Sequence, residues 1–449
     1  MDRFAQNIRI ILFLAYLLQK ICIKLDSDLF MYHMRSLVEW KNWLKLGDVY
    51  PVFQPVVSTE TGEIYGYEVL GRYLPEYDDN REPESMGPFF LASIKNRTDS
   101  QEFIQLKKDI DQKIREKALI EFARNQEKSS SLFLNISPMS MKEYLNSKTM
   151  ELPFTVQVVR KLGIRPDRII IEITEERLDE NLEQIRPIID IYRREGFRIA
   201  VDDVGSESSN LDRIGLFHPD IIKVDLQMLR RSVFSRNFKE ILFTLSRLGE
   251  SLGSSLLFEG IENEEELNNA LNYGSRYLQG FYFAKPIKNF LEPKYFSEQL
   301  RLALDNFHEK KTREVFETLS WEDKIQNQLS DVLKYFANYN NSDRIDSSVM
   351  NSIESCVFRL YITDEKGFQI SPNYYRSVEG RIEEDHSYIG RNWSWRPFFY
   401  EHSYKSVVSK KSWMVSSLYH DISENVMLKT FSKNLNNNFI LFVDVVFEM

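Results

Sequence analysis

The chain has 449 residues, 43% of them hydrophobic, which is enough for two or three packed domains and excludes a disordered chain. Its formal net charge of −9 argues against binding DNA or RNA polymers, which requires a basic surface. Two cysteines, Cys22 and Cys356, exclude a disulfide framework and favour a reducing, cytoplasmic compartment.

The first 36 residues form a hydrophobic extension with an apolar run from Ile8 to Ile23. The run is shorter than the roughly 20 residues of a spanning helix, and no small-residue cleavage site follows it. Three interpretations stay open: a helix that touches the membrane, a poor membrane anchor, or translated sequence upstream of a later start at Met31 or Met34. We favour the last, because a self-contained domain begins only near Leu37.

Residues 37–291 contain seven short apolar runs, each ending on a carboxylate, amide or ammonium group. Such runs are typical of buried parallel strands, and helical patterns fill the intervals. The alternation predicts an α/β fold with a TIM-like (β/α) barrel, which keeps its catalytic residues at the C-terminal strand ends. The residues at these ends are Glu68, Asn135, Glu172, Asp202, Asp203, Lys223, Glu259 and Gln279.

The start of this barrel is predicted to be irregular. The runs Val52–Val57 and Glu63–Leu70 are joined by a turn and indicate an antiparallel hairpin, so the first strand should oppose the others. Helices are predicted across the later intervals, and glycines stand where they should stop. These glycines are Gly163, Gly196 and Gly253.

After the barrel, residues 292–340 are predicted to form linker helices. Pro293 opens the first, and a second runs from Ile325 to Phe336. They could transmit motion, carry a dimer contact, or serve as a plain spacer. Residues 341–449 are predicted to form a small α+β module of the PAS-like type. Its strands are expected at Val357–Thr363, Phe368–Ser371, Trp413–Leu418, Met427–Phe431 and Ile440–Phe447.

The polar groups at the strand ends indicate a metal site. Acids dominate the set, together with one Asn and one Gln, and such oxygen donors suit hard divalent cations. The six histidines are scattered without metal-ligand spacing, which disfavours zinc. A small anionic ligand is compatible with the acidic chain, because a metal or a local arginine reverses the charge inside a pocket.

At this point the sequence resembles the EAL-domain cyclic di-GMP phosphodiesterase family. The segment Glu68–Arg72 matches the family signature, with Val69 in place of the usual alanine. The resemblance extends from Gln54 to Pro286, and the whole chain resembles members in which the EAL barrel precedes a PAS-like domain. Other matching motifs, in family order, begin at Gln54, Asn135, Glu172, Asp202, Lys223, Glu259 and Gln279.

The resemblance implies metal-dependent hydrolysis of cyclic di-GMP to linear pGpG by a two-metal site holding Mg²⁺ or Mn²⁺. The implied metal ligands are Glu68, Asn135, Glu172, Asp202, Asp203 and Glu259. Lys223 is the implied general base or the group that orients the attacking water; alternatively, its ammonium merely offsets the acids. Gln279 is implied to position water, and Glu175 is implied to brace the loop after the paired aspartates. Together with Lys223 and Glu259, these two residues are the implied catalytic residues.

Further implied contacts concern the ligand and a partner subunit. Arg72 suits a phosphate oxygen, because its planar guanidinium can bind bidentately. Gln54 and Asp225 are implied ligand contacts, although both could equally be buried polar groups at strand ends. The family also implies a homodimer through the EAL domain and the linker helices.

The loop from Val204 to Leu211 departs from the family pattern. Glu207 replaces a glycine, which restricts the backbone and adds a negative charge near the metals. Ser208 replaces an aromatic residue. The alternative function is therefore a weak or inactive receptor that binds cyclic di-GMP and signals through its C-terminal domain or a partner. An unrelated metal-dependent barrel enzyme is a third candidate.

Overall fold

The computed structural model describes residues 36–75, 83–92, 97–125, 129–147, 151–174, 182–205, 211–336, 349, 356–376, 381–396, 399–400, 413–421, 426–436 and 438–447. The chain divides into two compact units, Met1–Phe307 and His308–Met449. The apolar run from Ile8 to Ile23 lies outside the described residues, and none of the helices within them could cross a membrane. The division into segments 1–36, 37–291, 292–340 and 341–449 stays a prediction.

The first unit is a closed eight-stranded barrel. In the described residues its strands are β1 Gly47–Ser58, β2 Ile64–Pro75, β4 Ser131–Ile136, β5 Ile169–Ile173, β6 Arg198–Val204, β7 Ile221–Val224, β8 Ser255–Phe258 and β9 Tyr277–Gln279, with a short β3 Glu84–Ser85 beside β2. Strand β1 is antiparallel to both β2 and β9, whereas the other barrel strands are parallel to their neighbours. The predicted TIM-like barrel with an antiparallel first strand is therefore confirmed.

Helices cover the outside of the barrel. They are α1 Leu37–Lys45, α2 Gly87–Leu91, α3 Arg97–Arg124, α4 Pro138–Asn146, α5 Phe154–Leu162, α6 Arg186–Arg194, α7 Leu211–Phe217, α8 Leu226–Phe234, α9 Arg236–Leu252 and α10 Glu264–Asn272. Gly163 and Gly253 end α5 and α9 at φ 66° and 71°, as predicted, because glycine adopts the left-handed conformation without steric cost.

Two apolar layers leave one end of the barrel open for polar groups. Outward-facing strand residues and the helices form the large core. A separate cluster fills the barrel interior from the beginnings of the parallel strands, for example at Ile221 and Tyr277. The polar strand ends therefore line the opposite, C-terminal mouth.

The linker differs from its prediction. A single helix, α11 Ser297–Val332, is followed by a 3₁₀ turn, Leu333–Phe336. The expected pair of helices is wrong, because no proline or glycine lies between residues 294 and 336 to interrupt the helical backbone.

The second unit contains an antiparallel sheet. Its strands in the described residues are β10 Val357–Asp364, β11 Asn373–Arg376, β12 Ile382–Asp385, β13 Met414–Val415, β14 Tyr419–His420, β15 Met427–Asn436 and β16 Phe439–Val446. Ile325 and Leu329 of α11 belong to the apolar cluster of this unit. The expected strand at Phe368–Ser371 is wrong, since that segment forms only isolated bridges, Thr363 with Gln369 and Phe368 with Asn392.

A buried ion cluster joins three strands of this sheet. Arg359 Nε donates to Asp444 Oδ2 at 2.8 Å, and its Nη2 donates to Asp421 Oδ2 at 2.9 Å. Thr430 Oγ1 donates to the other oxygen of Asp444 at 2.7 Å. Asp444 is completely buried, so its charge is balanced by these contacts rather than by water.

We expect Arg359→Met to lower the free energy of unfolding by about 3–5 kcal/mol, because it leaves the Asp444 charge buried without its cation. Urea unfolding followed by tryptophan fluorescence measures the change. Lys334→Met is the matched control, since the Lys334–Asp331 pair is exposed and should leave the midpoint unchanged. An unchanged midpoint in Arg359→Met would contradict the structural role of the pair.

Candidate active site at the barrel mouth

The C-terminal strand ends bring the predicted polar residues together. Register places Gln54 opposite Glu68 on β1 and β2, and Asn135 opposite Glu172 on β4 and β5. Because neighbouring parallel strands end at the same edge, side chains from β2 to β9 converge in one pocket. The residues that contribute to it are Gln54, Glu68, Asn135, Glu172, Asp202, Lys223, Glu259 and Gln279.

The ammonium of Lys223 lies at the centre of this pocket, with its side chain only 1% exposed. Four carboxylates surround its Nζ atom. The distances are 3.0 Å to Glu172 Oε1, 3.0 Å to Asp202 Oδ1, 3.1 Å to Glu259 Oε2 and 3.7 Å to Glu68 Oε1.

These contacts shift the protonation of both partners. Burial alone would lower the pKa of Lys223, but the surrounding carboxylates hold that pKa well above its ordinary value. Burial raises the pKa of Glu172 well above its ordinary value, although the charge of Lys223 opposes the shift. Lys223 is therefore positively charged here, which disfavours its role as a general base in the absence of a further cation.

Amide side chains orient Glu68. Gln279 Nε2 donates to Glu68 Oε2 at 2.5 Å and lies 3.2 Å from Gln54 Oε1. Asn135 Nδ2 donates to Glu68 Oε1 at 3.1 Å. Gln54 is anchored in turn, since its Nε2 donates to the carbonyl of Ala284 at 3.4 Å. The signature glutamate is thus held from both sides.

The two remaining ligand candidates lie at the edge of this network. Arg72 is partly buried, and its Nη1 donates to the neighbouring Gly71 carbonyl at 2.9 Å. Asp225 caps α8, because its Oδ1 accepts from the backbone of Gln227 at 2.6 Å. That capping bond supports the structural interpretation of Asp225, and its contact with a ligand stays a prediction.

Sequence reasoning missed a clamp behind Glu259. Arg230 Nε donates to Glu266 Oε1 at 2.6 Å, and its Nη2 donates to Glu262 Oε2 at 2.9 Å. Glu266 Oε2 also accepts from the backbone of Glu262 at 2.8 Å. These contacts fix the loop that follows β8. The four-residue spacing of Glu262 and Glu266 was the sequence signal that could have revealed these contacts.

Three predicted features lie outside the described residues. Asp203 belongs to β6, but its side chain is not described. Glu175 and the loop segment 206–210, which includes Glu207 and Ser208, are not described at all. Their predicted roles stay predictions.

The donor set fits a divalent cation. It consists of carboxylate and amide oxygens, the ligands that Mg²⁺ and Mn²⁺ prefer. Glu172 Oε2 and Gln279 Oε1 are buried and meet no hydrogen-bond donor in the described part of the chain. Among the described residues, no group of three His, Cys, Asp or Glu side chains is arranged to hold a metal ion. The carboxylates instead contact the ammonium of Lys223.

Comparison with known families gives matches over both parts of the chain. The model of the EAL domain matches residues 38–286, and that of an EAL-domain associated signalling protein domain matches residues 290–449. The chain is 33% identical over 408 residues to the EAL-domain containing protein YkuI of Bacillus subtilis (strain 168), covering 90% of this chain and 95% of YkuI.

Two further similarities concern a solved structure and a relative from Escherichia coli. The crystal structure of B. subtilis YkuI in complex with substrate cyclic di-GMP and calcium matches with a TM-score of 0.79 and 29% identity, over 93% of this chain and 100% of that one. A probable cyclic di-GMP phosphodiesterase of Escherichia coli K12, PdeI, is 28% identical over 251 residues, which are 54% of this chain and 30% of PdeI.

Lys223→Met tests whether the carboxylate cluster accepts a divalent cation. Without such ions we expect a destabilisation of about 3–5 kcal/mol, because the buried carboxylates lose their ammonium. Added Mg²⁺ should restore the unfolding temperature of this variant more than it raises that of the wild type, since the ion replaces the lost charge. Thermal unfolding with EDTA and with Mg²⁺ measures both effects.

The control for this experiment is Lys113→Met, which removes a lysine paired with the exposed Asp48. Its response to Mg²⁺ should equal that of the wild type. An equal response of Lys223→Met would show that the cluster does not take up a divalent ion.

Proposed function

The chain belongs to the EAL domain family, and from that membership we propose that it hydrolyses cyclic di-GMP to linear pGpG with the help of divalent metal ions. The observation that supports this proposal best is the convergence of four carboxylates, one ammonium and two amides at the barrel mouth. A phosphodiester repels hydroxide, so its cleavage requires positive charge and a prepared water molecule, and such an acidic pocket supplies both once it holds metals.

We propose Mg²⁺ or Mn²⁺ as the cofactor. Bound there, the metal pair would lower the pKa of a water molecule and neutralise the phosphate oxygens. The first set of ligands would be Glu68, Asn135, Glu172 and Asp202. The second set would be Asp202, Asp203 and Glu259.

The remaining polar residues hold water and ligand. Lys223 would hold the attacking water through its ammonium, and Gln279, whose amide contacts Glu68, would position the same water by hydrogen bonding. Arg72 binds a phosphate oxygen, and Gln54 and Asp225 contact the ligand. Glu175 braces the loop that follows β6. We further propose a cytoplasmic homodimer that assembles through the EAL domain and α11.

A second candidate function is a receptor that binds cyclic di-GMP without cleaving it. The observation that favours it is Glu207, which stands where active relatives have a glycine. In this alternative the first set of ligands still recruits the nucleotide, and the second unit or a partner reads the bound state.

Hydrolysis is tested with purified protein, Mg²⁺ or Mn²⁺ and cyclic di-GMP, with the products separated by chromatography. We expect linear pGpG, and Glu68→Gln should lower its formation at least about a hundredfold, because a preorganised oxygen ligand is lost. Glu60→Gln is the matched control, since Glu60 is exposed and pairs with Arg276 far from the site. Tight binding of cyclic di-GMP without any pGpG would favour the receptor.

Glu207→Gly tests the loop. Restoring the glycine should raise kcat roughly fivefold, the equivalent of lowering the barrier by ~1 kcal/mol, because it removes a negative side chain next to the proposed metal ligands and frees the backbone of the loop. The initial rate of pGpG formation at saturating substrate measures the change. If the rate is the same as in the wild type, the glycine replacement does not explain weak turnover.

A further inference from the structure

The inner wall of the β1–β2 hairpin continues above the proposed metal site. Val49, Phe53 and Val57 of β1 pack outward in the main core, whereas Val56 lies in the cluster inside the barrel. Since side chains alternate along a strand, the even-numbered residues of β1 face inward. Their cross-strand partners form a ladder of three opposed pairs: Gln54 with Glu68, Val52 with Leu70, and Tyr50 with Arg72.

The top pair of this ladder offers hydrogen-bond donors that the described residues leave unused. The hydroxyl of Tyr50 is buried and has no hydrogen-bond partner among the described residues. Buried hydroxyls are almost always paired, so an unpaired one at the wall of a ligand site points to an absent acceptor. Opposite it, Arg72 carries five donors, one of which goes to Gly71.

A second cation stands beside the tyrosine. The Nζ atom of Lys288 lies 5.0 Å from the centre of the Tyr50 ring. Its position is set by the preceding residue, because the backbone of Ile287 exchanges hydrogen bonds with Phe53 at 2.7 and 2.9 Å. A phenol, a guanidinium and an exposed ammonium thus meet at one point of the barrel rim.

The distance between this point and the proposed metal site suits the length of a dinucleotide. Tyr50 lies four residues before Gln54 on β1, which is about 13 Å at ~3.3 Å per residue. A dinucleotide with one phosphate at the metals must extend its second nucleotide along the wall. That nucleotide presents acceptors, namely its phosphate oxygens and the O6 and N7 atoms of guanine.

We propose that Tyr50 and Lys288, together with Arg72, form a distal binding site for the nucleotide that lies away from the cleaved bond. The site recognises acceptor oxygens of that nucleotide, and it sets affinity rather than the rate of bond cleavage. This inference rests on the proposed function in one respect only, that cyclic di-GMP is the ligand.

The test compares Tyr50→Phe and Lys288→Met with the wild type by calorimetric titration of cyclic di-GMP in the presence of Ca²⁺, the ion of the YkuI complex. We expect Tyr50→Phe to weaken binding about tenfold, because one hydrogen bond is lost. Lys288→Met should weaken it about two- to threefold, and the loss should shrink at high salt because the ammonium is exposed. In turnover assays both variants should raise KM and leave kcat unchanged.

Stability separates this role from a purely structural one. Because the Tyr50 hydroxyl meets no partner in the part of the chain that the structure describes, Tyr50→Phe should keep or raise the unfolding temperature of the ligand-free protein. The matched controls are Tyr144→Phe, whose hydroxyl donates to the Glu151 carbonyl, and Lys294→Met, whose lysine is exposed beside Glu63. Neither control should change the affinity.

A mixed cyclic dinucleotide, with one guanine replaced by adenine, distinguishes the two sources of acceptor atoms. An equal penalty for Tyr50→Phe with both ligands assigns the contact to phosphate, and a penalty confined to cyclic di-GMP assigns it to guanine O6. Unchanged affinity of Tyr50→Phe and Lys288→Met would overturn the distal site, as would a fall in kcat at constant KM. Failure of the wild type to bind cyclic di-GMP would instead overturn the proposed function.

Discussion

The contact of Lys223 with four buried carboxylates is the interaction on which the rest of the site depends. One ammonium opposes four carboxylates, so the cluster keeps three negative charges in excess when all are ionised. Desolvated charges of one sign cannot stay so close without protons or cations. The raised pKa of Glu172 is one response, and uptake of divalent ions is the other. The same excess of charge is the physical reason for expecting this cluster to take up a divalent cation.

The sequence predicted which residues meet, because parallel strands that end on polar groups bring those groups to one rim. It did not predict their contacts. The pattern of apolar runs does not specify side-chain geometry, and this geometry decides whether Lys223 contacts Glu172 or a water molecule. The capping bond of Asp225 and the clamp of Arg230 on Glu262 were missed for the same reason, since both are local hydrogen bonds between residues with ordinary sequence signals.

At the level of the fold, the errors concern the linker helix, one expected strand of the second unit and the length of the first hairpin. The continuous α11 was predicted as two helices although no glycine or proline interrupts it, and Phe368–Ser371 was predicted as a strand from its apolar residues alone. The hairpin was predicted correctly but too short, because Gly47, Pro51, Gly71 and Pro75 are residue types that usually mark turns or strand ends. Those extra residues include Tyr50, a member of the proposed distal site that sequence reasoning did not identify.

Binding and cleavage are built on different elements of this barrel. Residues 68–72 pair without interruption with residues 50–54, so the proposed distal site does not depend on the loop after β6. The proposed second set of metal ligands begins at the end of β6, next to the loop that carries Glu207. Interactions that hold substrate and transition state equally change KM, whereas those realised only in the transition state change kcat. Divergence of that loop can therefore turn an enzyme of this family into a receptor without any change in the hairpin that recognises the ligand.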